Sequence, residues 1–355
     1  YERALQALVK LALEPQWEAK FEPNSYGFRP ARSCHDAIEA IFLAIKYKKK
    51  YVLDADIAKC FDKINHEKLL TKLDTYPELR NQIRDWLKCG VLDDGDLFPT
   101  DEGTPQGGVI SPLLANIALH GMENLVKEYA RTLKGRKREN ETALSLIRYA
   151  DDFVILHENL EVIKSCQELI SMWLGEMGLE LKPSKTKISH TLNNFDGNVG
   201  FNFLGFTVRQ FPVGKHNSGK CNGNLLGFKT LIKPSDEKVK AHNKKINLVI
   251  RKHKSSPQIT LIKELNPIIR GWSNYYATVV SKEIFSHCDH TNYNQLKRWA
   301  ERRHPKKNNS WVANKYWHSE GNRNWVFSTR GGESSYKLRT HSETKIVRHV
   351  KVQGN

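Results

Sequence analysis

The sequence predicts an α+β chain: a first part of mixed helices and strands with an antiparallel sheet, then a helical and strongly basic part. Three observations carry that reading. Strand-like runs at 51–57, 144–149, 153–157 and 201–208 lie among helical patterns. Amphipathic helical spacing dominates 235–303, and between about 214 and 227 the composition turns to Gly, Asn, Ser and Lys. The expected division is 1–213 for the mixed part, 214–234 for a flexible connector or hairpin, 235–318 for the helical part and 319–355 for a small β unit.

At 355 residues and 39% hydrophobic content the chain can bury an ordinary core, which excludes disorder as the default. Lysine and arginine number 56 against 39 acids, a net charge of +17, and such an excess points to a polyanionic partner through counterion release. Charge alone does not separate RNA from DNA. The six cysteines form no C-x-x-C pair, so neither a zinc ribbon nor a disulfide framework is indicated, and a reducing compartment is expected. No apolar run is long enough for a bilayer and no signal peptide is visible, so a soluble protein without a membrane partner is expected, cytoplasmic in a bacterium or organellar.

Leu5, Leu8, Val9 and Ala12 predict a first helix, ended or kinked near Pro15. Asn24 to Pro30 reads as a loop, and Ser33 as the cap of a second helix from about His35 to Tyr47. Tyr51 to Ile57 alternates as a strand, with Val52, Asp54 and Asp56 on one face and Tyr51, Leu53, Ala55 and Ile57 on the other. Two acids on a strand face conflict with strand propensity and with the cost of burying charge. A cation resolves the conflict.

Gly103 to Gly108 is a glycine-rich loop opening a helix, with Ser111 expected as N-cap and Pro112 as first helical residue, an entry suited to phosphates. Leu144–Tyr149 and Phe153–His157 predict a hairpin with Asp151 and Asp152 at its tip, although acids are common in turns. A helix over 161–177, a lysine-bearing strand at 185–188 and a strand over Phe201–Val208 follow. Helical patterns are expected at 235–253, 258–280 and 290–303, and a β unit within 323–353. Trp272, Tyr275, Tyr276 and Val279 recur at helical steps and are expected in a core more than as base-stacking rings.

Acids on a strand, acids at a hairpin tip and a glycine-rich helix entry together suggest two-metal nucleotidyl transfer, with Asp56, Asp151 and Asp152 as the hard oxygen ligands of two magnesium ions. Tyr149-Ala150-Asp151-Asp152 resembles the Y-x-D-D signature of reverse transcriptases, in the variant common among group II intron-encoded proteins. Further blocks agree in order: Asp56 to His66, Gly103 to Pro112, Lys182 to Lys187, Phe203-Leu204-Gly205-Phe206, and Leu265 to Tyr276, which resembles the maturase or X region.

The resemblance implies a right-hand polymerase fold, with fingers and palm before a helical thumb or maturase domain. It implies RNA-directed DNA polymerase activity on an RNA template and DNA primer with deoxynucleoside triphosphates, and a splicing role on the intron RNA, with mobility in the complete protein. It assigns catalysis to Asp56, Asp151 and Asp152, with Ile57 as a further metal contact, and prefers Asp56 over Asp54 because Phe61 stands five residues on as a steric gate against the 2′-hydroxyl. Gln106 and Gly107 are expected against the nucleotide and template, and Phe203, Leu204 and Gly205 in the primer grip. Arg29 is open to two readings, a template or triphosphate contact and structural packing; Lys187 is assigned by analogy to proton transfer toward pyrophosphate. The chain is expected to be a fragment, lacking a fingers segment before Tyr1, and no H-N-H ligand set is present in it. The rival reading is an RNA-binding splicing factor of this fold that no longer polymerises.

Overall fold

A computed structural model of the chain describes residues 1–89, 91–93, 96–98, 102–104, 107–321, 323–329 and 336–350. The chain divides into two compact units, one built from Tyr1–Phe201 with Arg209–Thr230, the other from Asn202–Val208 with Leu231–His349. Among the described residues no helix is long and apolar enough to cross a membrane.

The first unit is organised by a four-stranded antiparallel sheet. Its strands stand in the order Ser145–Tyr149, Asp152–His157, Tyr51–Asp56, Lys187–His190. Because side chains alternate across a strand, one face presents Leu53, Ala55, Leu146, Phe153 and Ile155, all at most 2% exposed, to a core shared with the helices Ser111–Leu119, Met122–Thr132 and Leu160–Glu176. Leu53, Leu146, Phe153 and Ile155 each contribute up to about 1.5–3 kcal/mol of transfer free energy, and the Ala55 methyl less. The opposite face is apolar at one end, where Val52, Ile147, Val154 and Leu156 are buried, and acidic at the other. The helix Cys34–Ile45, which packs on Ser145–Tyr149, starts from a reciprocal capping box in which Ser33 and Asp36 satisfy each other's backbone amides.

Helix ends depart from the sequence expectation in instructive ways. The first helix runs Glu2–Glu18, with Pro15 near its end as expected. Ser111 is not a cap but the first residue of its helix; Ile110 holds the cap position, and its carbonyl accepts from Leu113 and Leu114 at 3.0 and 3.1 Å. The glycine-rich loop thus enters the helix without a side-chain cap. Gly103 is the residue that lets this loop approach the preceding strand's exit: at φ +85° its amide donates to the Ile64 carbonyl at 2.8 Å, and an added Cβ would stand 2.5 Å from the Phe61 carbonyl oxygen.

The second unit is a cluster of the helices Asp236–Lys252, Gln258–Tyr275, Lys282–Arg303 and Asn309–Tyr316 with the hairpin Trp317–Glu320 and Arg323–Phe327. Ile246, Ile250, Leu261, Leu265, Ile269, Leu296 and Trp299 make its core. The third of these helices begins at Lys282 and not near residue 290. Phe285, Cys288, Asn292, Leu296 and Trp299 are buried along one stripe, so a polar first turn conceals the real start. Trp272 and Tyr276 lie inward as expected, Trp272 stacked on His242 at 4.3 Å and 10°. His242 meets His341 at 2.7 Å, and His341 reaches Asp289 at 2.7 Å.

Gly103→Ala is expected to lower the unfolding free energy by more than about 1 kcal/mol, since the new side chain meets backbone at a positive φ. Urea denaturation measures it; an unchanged midpoint would remove Gly103 as the constraint on this loop.

Candidate active site

Strand pairing assembles the acids. Asp56 ends the strand Tyr51–Asp56 and stands directly opposite Asp152, the first residue of Asp152–His157. Tyr149 pairs with Asp152 across the hairpin, which leaves Ala150 and Asp151 as a two-residue turn. Ala150 takes φ +57°, a left-handed conformation that costs a non-glycine residue about 1–2 kcal/mol. The Ile57 amide donates to the Asp151 carbonyl at 3.3 Å, so the turn is tied back to the strand that carries Asp56. The Ile57 side chain itself is buried in the core.

The electrostatics are those of a crowded acid cluster. Asp56 is 6% exposed and pairs with the Lys185 ammonium. Burial, then the charges of Asp56 and Asp151, push the Asp152 carboxyl up to about 6. Burial also raises Asp151, with the Asp56 charge adding to it. Asp54, two residues back on the same strand face, is pushed up to about 7, first by burial and then by the Asp152 charge. Carboxylates that repel one another in this way fit a divalent cation, a hard ion that neutralises several at once. Among the described residues no three acid, imidazole or thiol side chains form a complete metal centre by themselves.

Phe61 lies in the short helix Cys60–Lys63, entered through Lys59 at φ +46°. Its ring is half-buried and meets Phe28 edge-on, centroids 6.0 Å apart. The Phe61 carbonyl accepts from the Thr104 amide at 2.5 Å, which ties the glycine-rich loop to the aromatic. Gln106 lies outside the described residues. Gly107 takes φ +89° with no described residue within 4 Å of where a Cβ would project, and its carbonyl accepts from Arg3 at 3.2 Å.

Arg29 and Lys187 lie in different surroundings. Arg29 is buried, paired with Glu18 at 2.8 Å and donating to the carbonyls of Glu22 and Ser25 at 2.8 Å each, so its guanidinium is engaged in packing its own loop. Lys187 is exposed and stands opposite Asp54, whereas Lys185 is the lysine at Asp56. The same block held both lysines; only the turn at Lys182–Lys185, held by Lys182 donating to the Asp56 carbonyl at 2.8 Å, decides between them.

Phe203, Leu204 and Gly205 belong to the second unit. Phe203 is buried, while Leu204 and Gly205, at φ +50° and +83°, make a tight turn between the strands Phe201–Phe203 and Phe206–Pro212. Tyr275 donates to the Leu204 carbonyl at 3.3 Å and Tyr276 to that of Gly205 at 3.1 Å. The second unit also carries a cleft of about 560 Å³ whose lining includes Asn247, Arg251, Lys254, Gln295, Arg298 and Arg302, and in which Gln295 Oε1 is buried with no hydrogen-bond partner among the described residues. Its five lysine and arginine side chains, Arg303 among them, have no acidic partner among the described residues.

The raised carboxyls set a pH dependence. Folded-state values above the unfolded ones mean that the native chain holds protons the unfolded chain has released, so stability falls as pH rises from about 4 toward 7. Asp54→Asn is expected to flatten that fall, and magnesium to flatten it in the parent; melting temperature against pH, with and without the ion, reads both.

Residues 1–208 match the family described as Reverse transcriptase (RNA-dependent DNA polymerase), and residues 239–317 match Group II intron, maturase-specific domain. Protein YkfC of Escherichia coli (strain K12) is 34% identical over 241 residues, covering 58% of this chain and 60% of that protein. Group II intron-encoded protein LtrA of Lactococcus lactis subsp. cremoris is 27% identical over 368 residues, covering 84% and 58%. The chain therefore spans less than two thirds of the length of either relative. Among solved structures, a Candida albicans telomerase in complex with a TWJ fragment of telomeric RNA aligns over 85% of this chain and 55% of its own, at 14% identity and a TM-score of 0.45. An acid-tipped antiparallel hairpin facing a third strand aspartate, in a chain matched along 1–208 and again along 239–317, leads to one conclusion: this chain belongs to the reverse transcriptase family, in its group II intron branch, with a maturase-specific domain after the polymerase-type part.

Proposed function

We propose that the chain is the RNA-directed DNA polymerase part of a mobile group II intron protein, and that it also holds the intron RNA during splicing. The observation that carries the polymerase reading is Asp56 and Asp152 opposite each other in register, with Asp151 in the adjoining turn. Asp56, Asp151 and Asp152, with the Ile57 carbonyl, would hold two magnesium ions; when bound, these supply charge stabilisation for attack of a primer 3′-hydroxyl on the α-phosphate of a deoxynucleoside triphosphate. The Lys185 ammonium pairs with Asp56. Phe61, braced by Phe28, fills space that a ribose 2′-hydroxyl would need. Gly107 leaves room for a base pair or backbone against the loop, Gln106 is assigned to the same contact by resemblance, and Lys187 to proton delivery. Phe203, Leu204 and Gly205 form the primer grip in this reading, their turn kept rigid by two tyrosine hydroxyls.

The splicing role draws support from the cleft of the second unit. Cations without acidic partners, beside amide side chains, suit a phosphodiester backbone read by shape more than by sequence. A bacterial cytoplasm or an organelle is the setting this reading implies, and retrohoming belongs to the complete protein.

Primer extension on an RNA template with magnesium tests the polymerase reading: the full-length parent extends, and the Asp151→Asn, Asp152→Asn double variant does not. No extension by the parent, with salt-sensitive RNA binding retained, would favour a splicing factor that has lost polymerisation. In the same assay Phe61→Ala is expected to reduce discrimination against ribonucleotides about tenfold or more; unchanged discrimination removes the gate assignment. For the cleft, joint Arg298→Glu and Arg302→Glu substitution should weaken intron RNA binding and lower the salt slope by about 2, the loss of two phosphate contacts. An unaltered slope places the RNA elsewhere.

A further inference from the structure

The least accessible arginine among the described residues lies directly behind the acid-bearing turn. Arg148 is 1% exposed and forms no ion pair among the described residues. On the core-facing side of its strand it follows Leu144 and Leu146, both buried, so an apolar residue is the ordinary occupant of its place. Burying a guanidinium there is costly unless each donor finds an acceptor at a position that matters.

Its donors are spent on three groups. Nη1 donates to the Ala150 carbonyl at 3.1 Å and to Asn116 Oδ1 at 3.0 Å, and Nη2 donates to Ser25 Oγ at 2.8 Å. Asn116 passes the constraint on, donating from Nδ2 to the Gly27 carbonyl at 2.8 Å. Gly27 in turn lies so close to the turn that an added Cβ would come 2.3 Å from the Ala150 nitrogen. The backbone of Arg148 is fixed from both sides, accepting from Tyr26 and donating to Asn24 at 2.9 Å each.

We propose that Arg148 is a positioning residue for the Asp151–Asp152 turn: its guanidinium grips the Ala150 carbonyl, fixes the peptide between Ala150 and Asp151, and so aims the two carboxylates toward Asp56. The geometry requires such a device. Ala150 is left-handed without being glycine, and a turn of this kind relaxes unless its carbonyls are held. Ile57 holds the Asp151 carbonyl and Arg148 the one before it, so the peptide on either side of Asp151 has one fixed oxygen. The guanidinium also puts a positive charge behind an acidic tip, where Coulomb attraction is strongest because water is excluded.

The inference rests on the polymerase reading of the aspartates, and the experiment separates the two. In the full-length protein, Arg148→Met, Arg148→Lys, Gly27→Ala and Asp151→Asn are compared by single-turnover nucleotide incorporation, by primer–template affinity, and by hydrogen exchange of a peptide spanning 149–153 against one spanning 160–176. Arg148→Met is expected to slow incorporation about 100-fold, the cost of an ångström-scale misplacement, with affinity within about threefold. Its hairpin peptide should exchange faster while the helix peptide is unchanged. Arg148→Lys, which keeps one donor for Ala150, should recover at least about tenfold of the rate, and Gly27→Ala, which displaces the turn without touching the guanidinium, should show the same split.

The proposal is overturned if Arg148→Met incorporates within about threefold of the parent. It is equally overturned if rate and affinity fall together with faster exchange in both peptides, which marks a folding role. Should Arg148→Met fail to fold, Gly27→Ala and Arg148→Lys decide by the same criteria. Asp151→Asn incorporating at the parent's rate sinks the polymerase reading instead, whatever the arginine variants do.

Discussion

The register of one strand pair governs this molecule. With Tyr51–Asp56 antiparallel to Asp152–His157, Asp56 falls opposite Asp152, and a slip of one residue would turn the whole acidic row into the core and the apolar row into water. The register is held by what lies on the other face: Leu53, Ala55, Phe153 and Ile155 interlock with the helices beneath, so hydrophobic burial sets where the charges go. The acids are thus clustered against their own electrostatic preference, as the raised Asp54, Asp151 and Asp152 carboxyls record. A divalent cation complements such an arrangement beyond what Lys185 supplies.

Behind the sheet the chain uses buried polar groups where an apolar core would suffice for stability alone. Glu22 accepts from the Gly121 and Glu123 amides at 2.6 and 3.2 Å, and Glu123 accepts from the Asn24 side chain at 2.7 Å. His120 and the Glu22 carboxylate meet at 3.2 Å, and the pairing helps hold that carboxyl below its usual range against the opposing effect of burial. These groups fix the Asn24–Gly27 segment, and through it the acid-bearing turn. Directional bonds of this kind specify one backbone geometry where apolar contacts permit several. The second unit follows the same principle at the Leu204–Gly205 turn, whose left-handed backbone is held by two tyrosine hydroxyls.

Much was legible because periodicity and sterics act locally. The acid-bearing face of Tyr51–Ile57 follows from alternation, and the hairpin at Ala150–Asp152 from turn chemistry between two β-branched, aromatic-rich runs. Ser33 reads correctly as a cap because its partner Asp36 is three residues away. The misreadings are equally physical. Ser111 has the look of a cap, but the loop before it reaches the helix along a path set by Gly103 packing on the Phe61 turn, more than forty positions away in the chain. The helix at Lys282 begins with charged and imidazole side chains, and only burial of Phe285 and Cys288 marks its first turns as part of the core stripe.

The sequence by itself determined the ordered blocks, the strand faces and the hairpin that carries Asp151 and Asp152, since these depend on residue types at short fixed spacings. Tertiary structure alone decided which lysine meets Asp56, that Arg29 turns inward onto Glu18, and that Arg148 grips the turn from behind. Each of those outcomes depends on the approach of segments far apart in the chain. A long, charged side chain can reach several partners, and packing is what leaves it one.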